Sequence, residues 1–254
     1  MSVYLPLLLI ITLFFIPQVK ADFVDVVANI KPSVVGIGIH TPTSRPQNIL
    51  RGTGFVIGNG RYIVTNEHVL PDFLNDDLLQ QMAVFIGSGN NAKVRKAEII
   101  ATSSVYDLAI LKVTGNALPA MTLDNDDFHP DGSAIAFTGF PIGAILGLYP
   151  VTHRGIIAST TPTIIPAVSA EQISIKMLKR MRNPYLVYQL DATAYPGNSG
   201  SAMYDMKTGK VVGIINKVFV QETKEAVISN PSGITYAIPV RYLHEVLRDN
   251  NIIL

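Results

Sequence analysis

The 254 residues are 48% hydrophobic and 15% charged, with a formal net charge of +1. This composition excludes a disordered or coiled-coil chain and any global attraction to nucleic acid or an anionic membrane surface. Cysteine is absent, which excludes disulfides and thiolate metal sites and leaves packing as the source of stability. In chain order, Val3 to Ile16 is an apolar run closed by Pro17, and Val19-Lys20-Ala21 has small residues where a signal peptidase reads them. A signal peptide over 1–21, cleaved near Ala21, is therefore expected, with no stable membrane span afterwards. An uncleaved anchor is the competing reading. It is disfavoured because the run is shorter than the ~20 residues a span needs and carries Pro6.

From Asp22 to Asn29 the apolar residues Phe23, Val26 and Val27 fall at helical spacing, and Lys31-Pro32 ends the pattern. Short β-rich runs follow at Ser33–His40, Gly52–Ile57, Tyr62–Thr65, Met82–Ile86, Lys93–Thr102 and Leu108–Val113, separated by turns such as Gly58-Asn59-Gly60. Leu118 to Gly132 is a polar connector holding Asp124, Asp126 and Asp127. It lacks the glycine and distal glutamate of a calcium loop, so a solvated linker is expected and no metal. A second set of runs occupies Ser133–Thr138, Val151–Thr161, Leu186–Asp191, Ser201–Tyr204, Val211–Val220 and Ile234–Ile238. Two equal sets of six short strands predict an all-β chain of two six-stranded antiparallel barrels, one over residues 22–120 and one over 133–254, joined by 121–132.

Two helical segments interrupt this pattern. Ser169 to Gln172 has the form of a capping box, and Ile173, Met177, Leu178 and Met181 make one apolar stripe of a helix over 170–182, ended by Asn183-Pro184. Its other face carries Lys176, Lys179 and Arg180, a solvated surface or a contact for a partner. Val240 to Asn250 is helix-like through Tyr242, Leu243, Val246 and Leu247.

The chemistry-bearing stretch is Leu190 to Ser201, which contains Tyr195-Pro196-Gly197-Asn198-Ser199-Gly200. Gly197 can take a positive φ that frees its N–H, Ser199 supplies a hydroxyl and a second N–H, and Gly200 removes bulk. A serine hydroxyl is a poor nucleophile at neutral pH, so a base and an orienter of that base must come from elsewhere in the chain. Of the five histidines, His68 lies in Gly52–Leu70, where a strand and hairpin deliver it one turn past a strand end, a rigid mount for a base, though a purely structural histidine fits the stretch as well. Asp107 stands at the mouth of the apolar strand Leu108–Val113. It is either a solvated strand-end acid or a carboxylate buried against a histidine N–H.

Thr65-Asn66-Glu67-His68, Asp107 to Val113, Pro196 to Gly200 and Gly233 to Pro239 together resemble the protease domain of the HtrA/Deg group of trypsin-like serine proteases, over roughly Phe23 to Leu247. The resemblance implies a chymotrypsin-like double β-barrel with His68 as general base and acid, Asp107 as its orienter and Ser199 as nucleophile. It further implies the Gly197 and Ser199 amides as the oxyanion hole. It also implies substrate-binding positions at Thr193, six residues before the nucleophile, at Asn216 and at Thr235. Thr193 leaves no acid to pair with Lys or Arg, so a small or medium apolar residue is expected at P1. Ser201 departs from the HtrA pattern, which has a second glycine there. Ile215 stands where glutamyl endopeptidases carry histidine, so a glutamate preference is not expected. The protease domain is expected without a PDZ module.

The expected function is a serine endopeptidase acting on exported or misfolded polypeptides through an acyl-enzyme, with no cofactor. Its compartment is periplasmic, or alternatively the exterior. Polypeptides are the expected partners, and the oligomeric state is left open. The alternative is a catalytically idle peptide-binding or chaperone-like protein of the same fold, gripping extended chain by strand addition. An esterase with a nucleophile elbow is disfavoured, because Ser201 breaks its glycine pattern and its acid and histidine would follow the serine.

Overall fold

The computed structural model describes residues 22–89, 92–141, 147–163, 184–216 and 234–254. The expected signal segment and the helix over 170–182 lie outside these residues. The first barrel is built from β1 (Val34–His40), β2 (Asn48–Ile57), β3 (Tyr62–Thr65), β4 (Gln81–Ile86), β5 (Lys93–Ser103) and β6 (Leu108–Val113). The second contains β7 (Ala134–Gly139), β8 (Val151–Pro162), β9 (Leu186–Asp191), β10 (Ala202–Asp205), β11 (Val211–Asn216) and β12 (Ile234–Pro239). Each closes on itself, in the orders β1-β2-β3-β6-β5-β4 and β10-β11-β12-β9-β8-β7, with antiparallel neighbours throughout. The two six-stranded barrels expected from the spacing of the runs are thus present. Closure leaves no open sheet edge, which an exposed β-rich chain otherwise has to protect.

Period-two alternation explains why several strands read as continuous apolar runs. Along β6, Ala109, Leu111 and Val113 fill the first barrel, while Leu108 and Ile110 point into the seam between barrels. In β2, Val56 points inward and Phe55 and Ile57 point to the seam, where Ala136, Phe140, Tyr204, Ile214 and Ile238 meet them from the second barrel. The second barrel is filled by Ile135, Phe137, Ile157, Tyr188, Leu190, Met203, Val212 and Ile215. The buried Tyr204 hydroxyl is satisfied by Thr138 Oγ1 at 2.9 Å.

β2 starts at Asn48, four residues before the apolar run at Gly52. Asn48, Ile49 and Leu50 pair with His40, Ile39 and Gly38 across a bulge at Ile37/Gly38. Residues 48, 49 and 51 are exposed, so their backbone pairing left no hydropathy signal. The expected strand over 211–220 is described as far as Asn216. Its remainder lies outside the described residues.

Helix α1 (Phe23–Ile30) buries Val26 and Ile30, and α2 (Val240–Asp249) buries Val240, Tyr242, Leu243, Val246 and Leu247 in the seam cluster. The connector is more tightly held than a solvated linker. Met121 N–H donates to Val56 O at 2.8 Å, and Asp124 N–H to Val211 O at 2.9 Å. Asp124 also pairs with Lys210 at 3.4 Å and with His129 at 3.1 Å, and Asp126 with Arg248 at 3.1 Å. Among the described residues, no helix is long and apolar enough to cross a membrane.

Because Phe55 is fully buried in the seam, Phe55→Ala is expected to cost about 3–5 kcal/mol. Its urea-unfolding midpoint, measured beside that of the unsubstituted chain, checks this.

Candidate active site

β3 ends on the buried Thr65, and after the buried Asn66 the chain makes one 3-10 turn, Glu67–Val69, that carries His68. Leu70 N–H closes that turn on Glu67 O at 3.0 Å. Asp107 sits at the entry to β6 with φ +53°, a left-handed conformation that a short polar residue tolerates better than most. Five hydrogen bonds hold it there. Its carbonyl accepts from Glu67 N at 3.1 Å and from Asn66 Nδ2 at 3.0 Å, and its Oδ1 accepts from His68 N at 3.0 Å. Its Oδ2 accepts from His68 Nδ1 at 2.7 Å and from Asn216 Nδ2 at 2.9 Å.

Carboxylate oxygens only accept, so Nδ1 of His68 carries the hydrogen in this pair. The neutral ring then keeps its lone pair on Nε2. The Asp107 side chain is 4% exposed and that of His68 32%. Burial pushes the Asp107 carboxyl up. The hydrogen bonds and charge of His68, with the Asn216 amide, outweigh that and hold it below its ordinary value of 3.8.

The serine loop belongs to the second barrel. Gly197 has φ +100° and Gly200 φ +86°. A Cβ on Gly200 would collide with Thr53 O and Thr65 Oγ1 of the first barrel, so only glycine lets the loop lie this close. Asn198 N donates to Tyr195 O at 3.0 Å, and Gly200 N to Ile215 O at 2.9 Å. The N–H groups of Gly197 and Ser199 donate to no acceptor among the described residues. Thr53 of β2 reaches across the seam, its N–H donating to Ser199 O at 2.9 Å and its hydroxyl to Gly197 O at 2.7 Å. Gly52 lies where the two loops converge. A Cβ there would stand 2.8 Å from Val69, the residue after His68, and 3.0 Å from Ser199 O. No hydrogen bond joins His68 to Ser199 among the described residues. Such contacts often tighten only when substrate is bound.

Of the other expected site residues, Thr193 is half-buried. Thr235, 4% exposed, donates to Ala192 O at 2.7 Å and accepts from Ala194 N at 3.1 Å, so its hydroxyl braces the residues on both sides of Thr193. Asn216 has no exposed surface, and its side chain is committed to Asp107. The sequence pattern does not assign the contacts of Asn66, Asn216 and Thr53 with the acid and the serine loop. The available signal was an amide or hydroxyl inside an otherwise apolar strand or beside its end. Among the described residues no group of three or more His, Asp or Glu side chains suits a metal ion.

Two closed six-stranded barrels, one bearing the His68–Asp107 pair and the other the glycine-flanked serine loop, define a double-barrel scaffold of the chymotrypsin type. A family model described as trypsin-like peptidase domain matches residues 52–214, and the chain belongs to that family. Similar curated relatives are named probable periplasmic serine endoprotease DegP-like. That of Halomonas elongata is 28% identical over 189 residues, covering 74% of this chain and 32% of the relative. That of Pseudomonas savastanoi is 30% identical over 190 residues, covering 74% and 32%. The chain thus spans about a third of the length of these relatives. Among solved structures, the serine endoprotease from Yersinia pestis superposes with a TM-score of 0.63 at 24% identity, covering 92% of this chain and 68% of that one. The HtrA-type protease AlgW with decapeptide gives 0.65 at 23% identity, covering 91% and 68%.

A carboxyl held below its ordinary value contributes stability that is present above the unfolded value and is lost as pH falls through the folded one. Asp107→Asn is therefore expected to destabilise the chain by about 1–3 kcal/mol near neutrality. The difference should shrink below about pH 4, which urea midpoints measured in acid and near neutral pH would check.

Proposed function

We propose that this chain is a serine endopeptidase that cleaves exported or misfolded polypeptide, with Ser199 as nucleophile, His68 as general base and acid, and Asp107 as orienter. The observation that carries this reading is the 2.7 Å bond from His68 Nδ1 to the buried Asp107 carboxylate, together with a serine loop two of whose N–H groups have no acceptor among the described residues. Aspartate fixes the ring so that Nε2 is the basic nitrogen, and it stabilises the imidazolium that forms.

In the proposed reaction Ser199 Oγ attacks the scissile carbonyl carbon while His68 Nε2 takes the hydroxyl proton. The negative charge moves to the carbonyl oxygen, where the Gly197 and Ser199 N–H groups receive it. Collapse of this intermediate breaks the C–N bond, and the leaving amine takes the proton from Nε2, leaving an acyl ester on Ser199. Water then attacks the ester carbon and gives a proton to Nε2, the C–Oγ bond breaks as Ser199 Oγ takes that proton from Nε2, and the acid leaves with the serine hydroxyl restored.

Polypeptide substrates are supported by the structures of the HtrA-type protease AlgW with a tripeptide and with a decapeptide. A periplasmic location is supported by the names of the relatives and by the signal-like segment over 1–21. A neutral Thr193, braced by Thr235, favours a small or medium apolar side chain at P1.

A fluorophosphonate probe is expected to label the unsubstituted chain. Ser199→Ala should lose labelling and lower casein turnover by about 10⁴-fold or more. Labelling that survives the substitution rejects the nucleophile. In a peptide library, cleavage is expected after small and medium apolar residues, and dominant cleavage after Arg would reject the proposed P1 pocket.

A further inference from the structure

We propose that Thr53 is a positioning residue whose hydroxyl, reaching from the opposite barrel, holds the oxyanion loop in its donating conformation. The proposal rests on the serine-peptidase reading above and names a residue that acts through Gly197 rather than on substrate. Thr53 lies on β2 with no exposed surface, so each of its polar groups needs a partner. All are satisfied. Its N–H donates to Ser199 O at 2.9 Å, and its carbonyl accepts from Thr65 Oγ1 at 2.7 Å. Its hydroxyl donates to Gly197 O at 2.7 Å and accepts from Phe140 N at 3.0 Å. Gly197 O can only accept and Phe140 N can only donate, so the hydroxyl hydrogen has one direction. The β-branched side chain also restricts χ1.

These bonds fix alternate peptide planes of the loop. The 197–198 plane is tied at both ends, its carbonyl to Thr53 Oγ1 and its N–H to Tyr195 O at 3.0 Å. The 199–200 plane is likewise tied, its carbonyl to Thr53 N and its N–H to Ile215 O at 2.9 Å. The N–H groups left without an acceptor among the described residues are those of Gly197 and Ser199, the two proposed to receive the oxyanion. Glycine at φ +100° has no Cβ to resist rotation of the neighbouring planes. A turned plane would aim a carbonyl, rather than an N–H, at the developing negative charge. The hydroxyl of Thr53 supplies the restraint that Gly197 lacks.

The arrangement also depends on Gly139. A Cβ there would come within 2.9 Å of Thr53 Oγ1 and 2.8 Å of Asn198 Oδ1. The backbone tether from Thr53 N to Ser199 O needs no particular side chain, so a substitution at 53 can remove the hydroxyl's bonds to Gly197 O and Phe140 N while that tether stays.

The experiment compares Thr53→Val, which keeps the branched shape, with Thr53→Ser, which keeps the hydroxyl, in the full chain. The readouts are kcat and KM on a fluorogenic peptide and the affinity of a peptide aldehyde, whose adduct with Ser199 places an oxyanion between the two amides. For Thr53→Val, kcat is expected to fall about 10²-fold with KM little changed. Aldehyde affinity should fall by a similar factor. Thr53→Ser should recover most of both. Where Thr53→Val does not fold by circular dichroism, Thr53→Ala takes its place, and the serine variant still tests the hydroxyl. A valine variant that matches the unsubstituted chain in kcat and aldehyde affinity overturns the clamp alone. So does a serine variant that loses as much as valine, since packing of the γ-methyl would then be the cause. An unsubstituted chain that neither cleaves nor is labelled overturns the peptidase reading and the clamp with it.

Discussion

A carboxylate taken out of water is tolerated only if its lone pairs are met, and Asp107 imposes that demand at the point where the two barrels touch. Its two side-chain oxygens take three hydrogen bonds, two from His68 and one from Asn216. The first two bonds come from the same barrel and fix the 3-10 turn that carries the imidazole. The third comes from the last residue of β11. The acid is therefore fully satisfied only when the second barrel is docked, and assembly of the histidine–aspartate pair is coupled to closure of the seam. A barrel lacking its partner would expose the apolar face of β6 and leave Oδ2 short of one donor.

A second polar link crosses the seam in the opposite sense. Asn216 carries an amide from the second barrel to the acid of the first, whereas Thr53 carries an N–H and a hydroxyl from the first barrel to the serine loop of the second. The apolar contacts of Phe55, Ile57, Phe140 and Tyr204 bring the barrels together but have no fixed direction. The polar links supply one. Together they fix how His68 and the serine loop sit relative to each other, more tightly than packing between two rounded surfaces would by itself.

Much of this organisation was legible in the sequence because each strand is short, apolar on at least one face and bounded by glycine-rich turns. Two sets of six runs predict the barrel count, and His68 and Asp107 fall in the first set while Ser199 falls in the second. What was not legible depends on backbone pairing or on distant partners. Residues 48–51 carry no hydropathy period because three of the four are exposed, yet three of them pair with β1. Thr235 was expected at a substrate-binding position, and its hydroxyl bonds to both neighbours of Thr193. Asn216 was expected at a substrate position, and its amide contacts a carboxylate 109 residues earlier in the chain. No local pattern encodes a bond of that span. The left-handed φ of Asp107 was hidden for the same reason, since the five bonds that hold it come from two separate stretches, residues 66–68 and Asn216.

The C-terminal helix has a place in the same scheme. Tyr106, the residue before Asp107, stacks on Tyr242 of α2 with centroids 4.6 Å apart and meets Tyr185 edge-on at 5.0 Å. Its hydroxyl donates to Glu245 Oε2 at 2.7 Å. Burial, then the hydrogen bond and charge of Glu245, push that hydroxyl well above the usual tyrosine range, so it stays a donor at any physiological pH. Aromatic pairs of this kind contribute about 0.5–1.5 kcal/mol each beyond area burial. A donor facing a carboxylate makes a stronger bond than one between neutral partners. Tyr106 is thereby anchored on one side while the five bonds to Asp107 hold the other. A strained conformation persists when its surroundings over-determine it. Here those surroundings include the turn bearing His68, the end of β11 and the helix that follows β12, so elements from both halves of the chain hold one aspartate in a conformation it would not keep alone.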